Sequence, residues 1–292
     1  MPPLDLLPEL LDEVFFLLPC RREYAHQVQD DQRRNQTDLL SCSLVSRRWR
    51  GAARRHIFHT TSCAFDRVNA SDSKPKHDAD GPDRRTLQEF ADFLQASPHV
   101  CALIRRLDLV SLGAPNACPR TVDRELVYSM LALLPGLQYL MLEKIILHSP
   151  DPTPPAVRFS ISTLDLREGY KKHMGLALAV LTAVNMFESI GTLHIKNARI
   201  PYYEFEMGAA AFPATRVASL SLGVFDNSAA VRCISPRHLK SLCIPALSFM
   251  RDGSDSFWEE TLSDGGFGKG LEHLSFLLYE GGGEFLSRHD IR

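Results

Sequence analysis

From residue 86 onward one arrangement of apolar and polar positions keeps returning. It is an apolar residue, two others, an apolar residue, one other, and an apolar residue. It stands at Ile104-Leu107-Leu109, Leu137-Leu140-Leu142, Ile161-Leu164-Leu166 and Ile190-Leu193-Ile195. It returns at Val217-Leu220-Leu222, Leu239-Leu242-Ile244 and Leu271-Leu274-Phe276, with starts 33, 24, 29, 27, 22 and 32 residues apart. Three fixed apolar positions match by chance in about one window in eleven at this composition, so the intervening residues are the better test. Of those 21 residues, only Tyr139, Met141, Ala218 and Cys243 are apolar. Polar filling of that kind suits a strand buried on one face, because successive side chains point to opposite sides. Between these strands, Leu87, Phe90, Ala91 and Leu94 have helical spacing before Pro98. Leu126, Val127, Met130, Leu133 and Leu134 repeat it before Pro135-Gly136, and Leu176 to Phe187 predicts a third helix, too apolar to be amphipathic.

Upstream the texture changes. Residues 1–60 are rich in leucine and arginine and read as two helices. In 6–18 (LLPELLDEVFFLL), Leu10, Leu11, Val14, Leu17 and Leu18 follow helical spacing, with acids in the first turn favoured by the helix dipole. In 38–55, Asp38 can cap a single helix. Its stripe would be Leu40, Leu44, Val45 and Trp49, with Arg residues crowding the C-terminal half. Residues 20–37 and 69–85 are polar and read as solvated loops. The expected division is a helical module over 1–60, a polar linker over 61–85 and a repeating domain over 86–292.

Strand, connection and strand at this period resemble a leucine-rich repeat, whose strand is L-x-x-L-x-L. The resemblance implies stacked units sharing one parallel sheet. That family's Asn or Cys, three residues after the last strand leucine, is replaced here by Leu112, Ile145, Gly169, Ala198, Phe225, Leu247 and Tyr279. The expected fold class is therefore α/β: a small N-terminal helical module followed by an irregular leucine-rich-repeat-like α/β solenoid with a parallel sheet. A doubly wound α/β domain would carry strands apolar on both faces, against the polar filling. The last such strand, Leu271 to Tyr279, is followed by too few residues for another unit, so its edge is expected to be unpaired.

Composition narrows the classes. The chain has 292 residues, 45% of them hydrophobic, with 33 Lys and Arg against 35 Asp and Glu. That balance gives no support to electrostatic binding of nucleic acid or of an anionic membrane. Seven cysteines without a CxxC pair, and a leucine-rich start carrying Asp5, Glu9, Asp12 and Glu13, lead to reduced thiols and a cytoplasmic or nuclear setting as the expectation. No apolar run reaches the length of a membrane span.

Residues 4–58 resemble the F-box family. Its first helix, L-P-x-E-L-L-x-x-I, is met by Glu9-Leu10-Leu11-Asp12-Glu13-Val14. Either Leu7 stands in for the proline or Pro8 has shifted one place in register. Its second helix, D-L-L-x-x-x-x-V-x-[KR]-x-W, is met by Asp38-Leu39-Leu40 through Val45, Arg47 and Trp49. Residues 20–37 make the loop between these helices longer than the family's. The resemblance implies a substrate receptor of a cullin–RING ubiquitin ligase. A Skp-type adaptor would be bound through Leu7, Pro8, Glu9, Leu10, Leu11, Val14, Leu17, Leu39, Leu44, Val45, Arg47 and Trp49. A substrate protein would lie on the repeat sheet, near polar strand residues such as Arg106, Asp108, Glu143, His194 and Lys240. The alternative is a scaffolding repeat protein with a degenerate F-box.

Catalytic motifs do not assemble. Asp264 to Gly270 is glycine-rich, but Gly270 stands where a phosphate loop needs Ser or Thr, and a strand follows instead of a helix. His56 and His59 have no second ligand pair, and no GxSxG is present. The expectation is a protein with no cofactor and no catalytic residues.

Overall fold

A computed structural model describes residues 39–65, 86–112, 119–149, 155–170, 176–198, 215–223, 238–245, 270–279 and 285–291. The first expected helix and residues 20–37 lie outside them, as do 66–85.

The fold is α/β with a mostly parallel sheet. Its strands are β1 (Thr60–Phe65), β2 (Arg106–Ser111), β4 (Tyr139–Glu143), β6 (Phe159–Tyr170), β7 (Phe187–Ala198), β8 (Arg216–Leu222), β9 (Ser241–Pro245), β10 (His273–Tyr279) and β11 (Phe285–Ile291). They lie side by side in that order, so each is hydrogen-bonded to its nearest sheet neighbours along the chain. A doubly wound sheet reverses its strand order; this one does not. Every pairing is parallel except β10 with β11. A second, two-stranded parallel sheet joins β3 (Arg120–Asp123) to β5 (Ile145–His148).

Register explains the repeating triplet. The second apolar position forms one row across seven strands: Leu107, Leu140, Leu164, Leu193, Leu220, Leu242 and Leu274. The third forms the next row, with Leu109 beside Leu142, Leu166 beside Ile195 and Ile195 beside Leu222. Nearly all of these side chains are buried in one continuous core. Each stabilises the fold by about 2 kcal/mol, and a slip of one residue would turn the whole row to the other face.

Three helices complete that core: α2 (Leu87–Ala96), α4 (Arg124–Ala132) and α5 (Leu176–Asn185), contributing Leu87, Leu94, Val127, Met130, Val180 and Val184. Thr86 and Glu89 close a reciprocal capping box at the start of α2, with Glu89 N donating to Thr86 Oγ1 at 3.1 Å and Thr86 N to Glu89 Oε2 at 2.8 Å. Asp123 caps α4 through Glu125 N at 2.9 Å. A short helix, α3 (Pro98–Cys101), follows α2 and begins on proline, whose fixed φ suits a first turn. At Lys144 the backbone turns left-handed, with φ 57°. There its N–H reaches Arg167 O at 2.9 Å and its carbonyl accepts from Arg120 N at 3.0 Å, so one residue ties the two sheets together.

Several expectations are corrected. The helix expected over 38–55 is broken. Residues 39–43 are helical, the chain turns at Leu44 and Val45, and a new helix, α1 (Arg47–His59), begins after Ser46. Ser46 Oγ accepts from Trp49 N at 3.2 Å, the bond of an N-cap, which fixes the new start. Arg47 and Arg50 thus stand in the first turns of a helix, where the dipole disfavours cations, and not in its last. The linker expected over 61–85 does not begin at 61. β1 follows α1 directly and pairs with β2, burying Cys63 and Phe65 in the main core. The edge of β10 is not unpaired either, since β11 runs antiparallel along it. Among the described residues, no helix is long and apolar enough to cross a membrane. Cys42, Cys63, Cys101 and Cys243 are free thiols.

Candidate functional site

The face opposite the leucine rows is built from the residues between them. Along β2, β4, β6 and β7 it carries Arg106 and Asp108, Tyr139 and Glu143, Asp165 and Arg167, and His194 and Lys196. Further along it carries Ser219, Ser221, Ser241 and Ser275. One half of the face is charged and the other bears hydroxyls.

Asp165 is the centre of the charged half and is only 1% exposed. Its Oδ2 accepts from Tyr139 Oη at 2.7 Å, from Arg167 Nε at 2.9 Å and from Arg167 Nη2 at 2.7 Å. Lys196 Nζ lies 3.5 Å from the same oxygen. Two strands away, Arg106 Nε donates to both oxygens of Asp108, at 3.0 and 3.1 Å. The Arg106 guanidinium also stacks over the Tyr139 ring, 4.0 Å from its centroid. A continuous chain of contacts thus crosses four strands, from Asp108 through Arg106 and Tyr139 to Asp165, Arg167 and Lys196.

The two aspartates differ in charge balance. Burial pushes the Asp165 carboxyl up, but the Arg167 and Tyr139 hydrogen bonds and the Lys196 charge outweigh it, and the group lies below its ordinary range. Burial likewise pushes Asp108 up, and there Arg106 offsets it only in part, so that carboxyl lies above its ordinary range. Burial and the bond to Asp165 together push the Tyr139 phenol up to about 12, so it remains a donor. Burial holds His194 below its ordinary value, against the pull of Asp165. Asp165 Oδ1 and His194 Nδ1, on register-paired residues, are buried without a hydrogen-bond partner among the described residues. The charges are layered by depth: the carboxylates lie beneath, and Arg106, Arg167 and Lys196 reach over them with their side chains partly exposed. Such a surface offers hydrogen-bond donors to a polar partner.

Of the residues expected on this face, Arg106, Asp108, Glu143 and His194 belong to it. Lys240 does not. It precedes β9 and pairs with Glu272 at 3.0 Å. Tyr139, Asp165, Arg167 and Lys196 were missed. Asp165 occupies a polar filling position of the triplet, while Arg167 and Lys196 fall one residue beyond the triplet's end.

The expected adaptor residues are split. Leu7, Pro8, Glu9, Leu10, Leu11, Val14 and Leu17 lie outside the described residues. Leu39 is buried with Ala52 and Ala53 in a small core of its own, and Trp49 packs against it half-buried. Leu44 and Val45 stand out in the turn, 78% and 65% exposed, with Arg47 exposed beside them. They do not share a helical stripe with Trp49. Among the described residues, no group of three His, Cys, Asp or Glu is placed to hold a metal. No protein-family model matches the chain, and the comparison with curated proteins finds no match.

Proposed function

We propose that this chain is a substrate-recognition subunit of a cullin–RING ubiquitin ligase. In this reading residues 4–58 act as an F-box that docks on a Skp-type adaptor. The sheet is a leucine-rich-repeat-like solenoid whose polar face holds a substrate protein.

The observation that carries the reading is the turn before α1. The F-box resemblance assigns Leu44 and Val45 to the adaptor contact, and both are exposed although the chain has a core a few residues away. Leu40 is exposed with them. Adjacent exposed aliphatic residues with an Arg beside them suit a protein contact. Trp49, packed on Leu39 and Ala53, would hold the turn in place. The polar face supports the second half of the reading, because a pre-bonded set of Arg, Lys, Asp and Tyr side chains loses little entropy when a partner arrives.

The experiment is co-purification with a Skp-type adaptor, followed by titration of the purified pair. Leu44→Glu with Val45→Glu leaves both cores untouched, and it should weaken binding by about 30-fold or more. Absence of any wild-type complex, or equal affinity in the folded double variant, rejects the reading.

A further inference from the structure

A separate depression lies apart from the polar rows, where β6, β7 and β8 begin. It is a shallow, largely open cavity of about 530 Å³. Three features of the backbone and side chains converge on it.

The first is a bulge. Phe159 pairs with Phe187, but Ser160 pairs with Ser189, so Glu188 is an extra residue on β7. Bulges re-aim the side chains beside them. Here the result sets Ser189 opposite Ser160, with Ser189 Oγ donating to Ser160 Oγ at 2.8 Å. The Ser160 hydroxyl keeps its own proton for another acceptor. The second feature is Gly191. A Cβ there would sit 2.6 Å from the carbonyl oxygen of Ser162, so only glycine allows the two strands to approach this closely under the cavity. The third is the wall. Arg216 and His238 line the cavity as exposed nitrogen donors, while Leu137 and Ala218 supply apolar surface. Arg216 is held only loosely by Glu188, at 3.7 Å, and both side chains are more than half exposed.

We propose that this cavity binds a small organic anion: a compact oxyanion on an apolar body. The oxyanion would take hydrogen bonds from Arg216, His238 and Ser160, and the apolar body would lie against Leu137 and Ala218. Glu188 is the internal competitor that a ligand displaces from Arg216. None of these residues belongs to the polar rows or to the turn before α1, so the proposal stands independently of the receptor reading.

The test is calorimetric titration of the full chain at low salt with phenyl phosphate, inorganic phosphate and benzyl alcohol. Phenyl phosphate should bind one to one, and more tightly than either half of its chemistry alone. Arg216→Ala should weaken it by about ten-fold, the effect of losing one charge-assisted hydrogen bond. Glu188→Gln should tighten it by at least about two-fold, a gain that misfolding cannot imitate. Three results would each overturn the proposal: benzyl alcohol or inorganic phosphate binding as tightly as phenyl phosphate, an affinity unmoved by Arg216→Ala, or no gain in Glu188→Gln.

Discussion

The two faces of the large sheet obey different rules. The inner face is uniform: one leucine row crosses seven strands, and any member could stand for another. The outer face is polarised, charged from β2 to β7 and hydroxyl-bearing beyond. Uniformity inside fixes register, because every strand must present the same row. Variation outside is possible because that register is already secured. The inner face accounts for the fold, and the outer face changes in charge and hydroxyl content along its length.

Asp165 puts this contrast under the greatest strain, since it is an outer-face residue buried as deeply as a leucine. Asp165→Ala should cost about 3 kcal/mol, because it removes the buried acceptor that ties down the half-buried Tyr139 and Arg167. Denaturant unfolding measures this, and a loss under about 1 kcal/mol would mean that the outer network contributes nothing to the fold. Leu164→Ala, its inner-face neighbour, should cost about 3 kcal/mol from lost transfer energy and the cavity left behind. By contrast Ser219→Ala, in the hydroxyl half, should change stability by no more than about 0.5 kcal/mol. A larger value there would erase the distinction between the two halves.

Acid titration should separate the two aspartates. Asp165 is held below its ordinary value, so the unfolded chain binds more protons there. Its contribution is fully present above the unfolded value near 3.8 and is lost as pH falls through the lower folded value. Asp108 is held above its ordinary value, so the folded chain keeps its proton longer and stability declines as pH rises past 3.8. Asp108→Asn should therefore remove that decline and leave the protein equally or slightly more stable at pH 7. Asp165→Asn should flatten the acid limb instead. Unfolding curves from pH 2 to 7 read both, and a matching response from the two variants would show that their environments do not differ.

Legibility in the sequence divides along the same line. The inner rows could be read because a leucine triplet with polar filling has a fixed period, and the helix at 87–96 could be read from its spacing. β1 was hidden because Thr61 stands where other strands have leucine, so TTSCAF lacks the pattern, although Cys63 and Phe65 are buried all the same. β11 escaped notice for a different reason: it pairs antiparallel and has no place in a parallel period. The break before α1 left a faint sign in Ser46, a good N-cap residue that the apolar spacing across it concealed. On the outer face, the pattern marks a position as polar without saying which neighbour will meet it. Asp108 and Asp165 occupy the same place in the triplet, yet Asp108 takes its side-chain hydrogen bonds from the Arg two residues before it, while Asp165 gathers groups from three strands. That difference depends on which strands become neighbours, and no single strand's sequence contains it.

The strand order has a consequence for how the molecule is made. A chain emerging from the ribosome delivers its N-terminal end first, and here the large-sheet strands emerge in the order in which they lie. Each new strand meets a sheet edge that is already in place, with the leucine row of its predecessor waiting. No strand must be held open for a partner hundreds of residues away, so the exposed edge at any moment is a single strand wide. Assembly of this kind resembles the closing of a zip, in which loop-closure entropy is met in small steps instead of one large one.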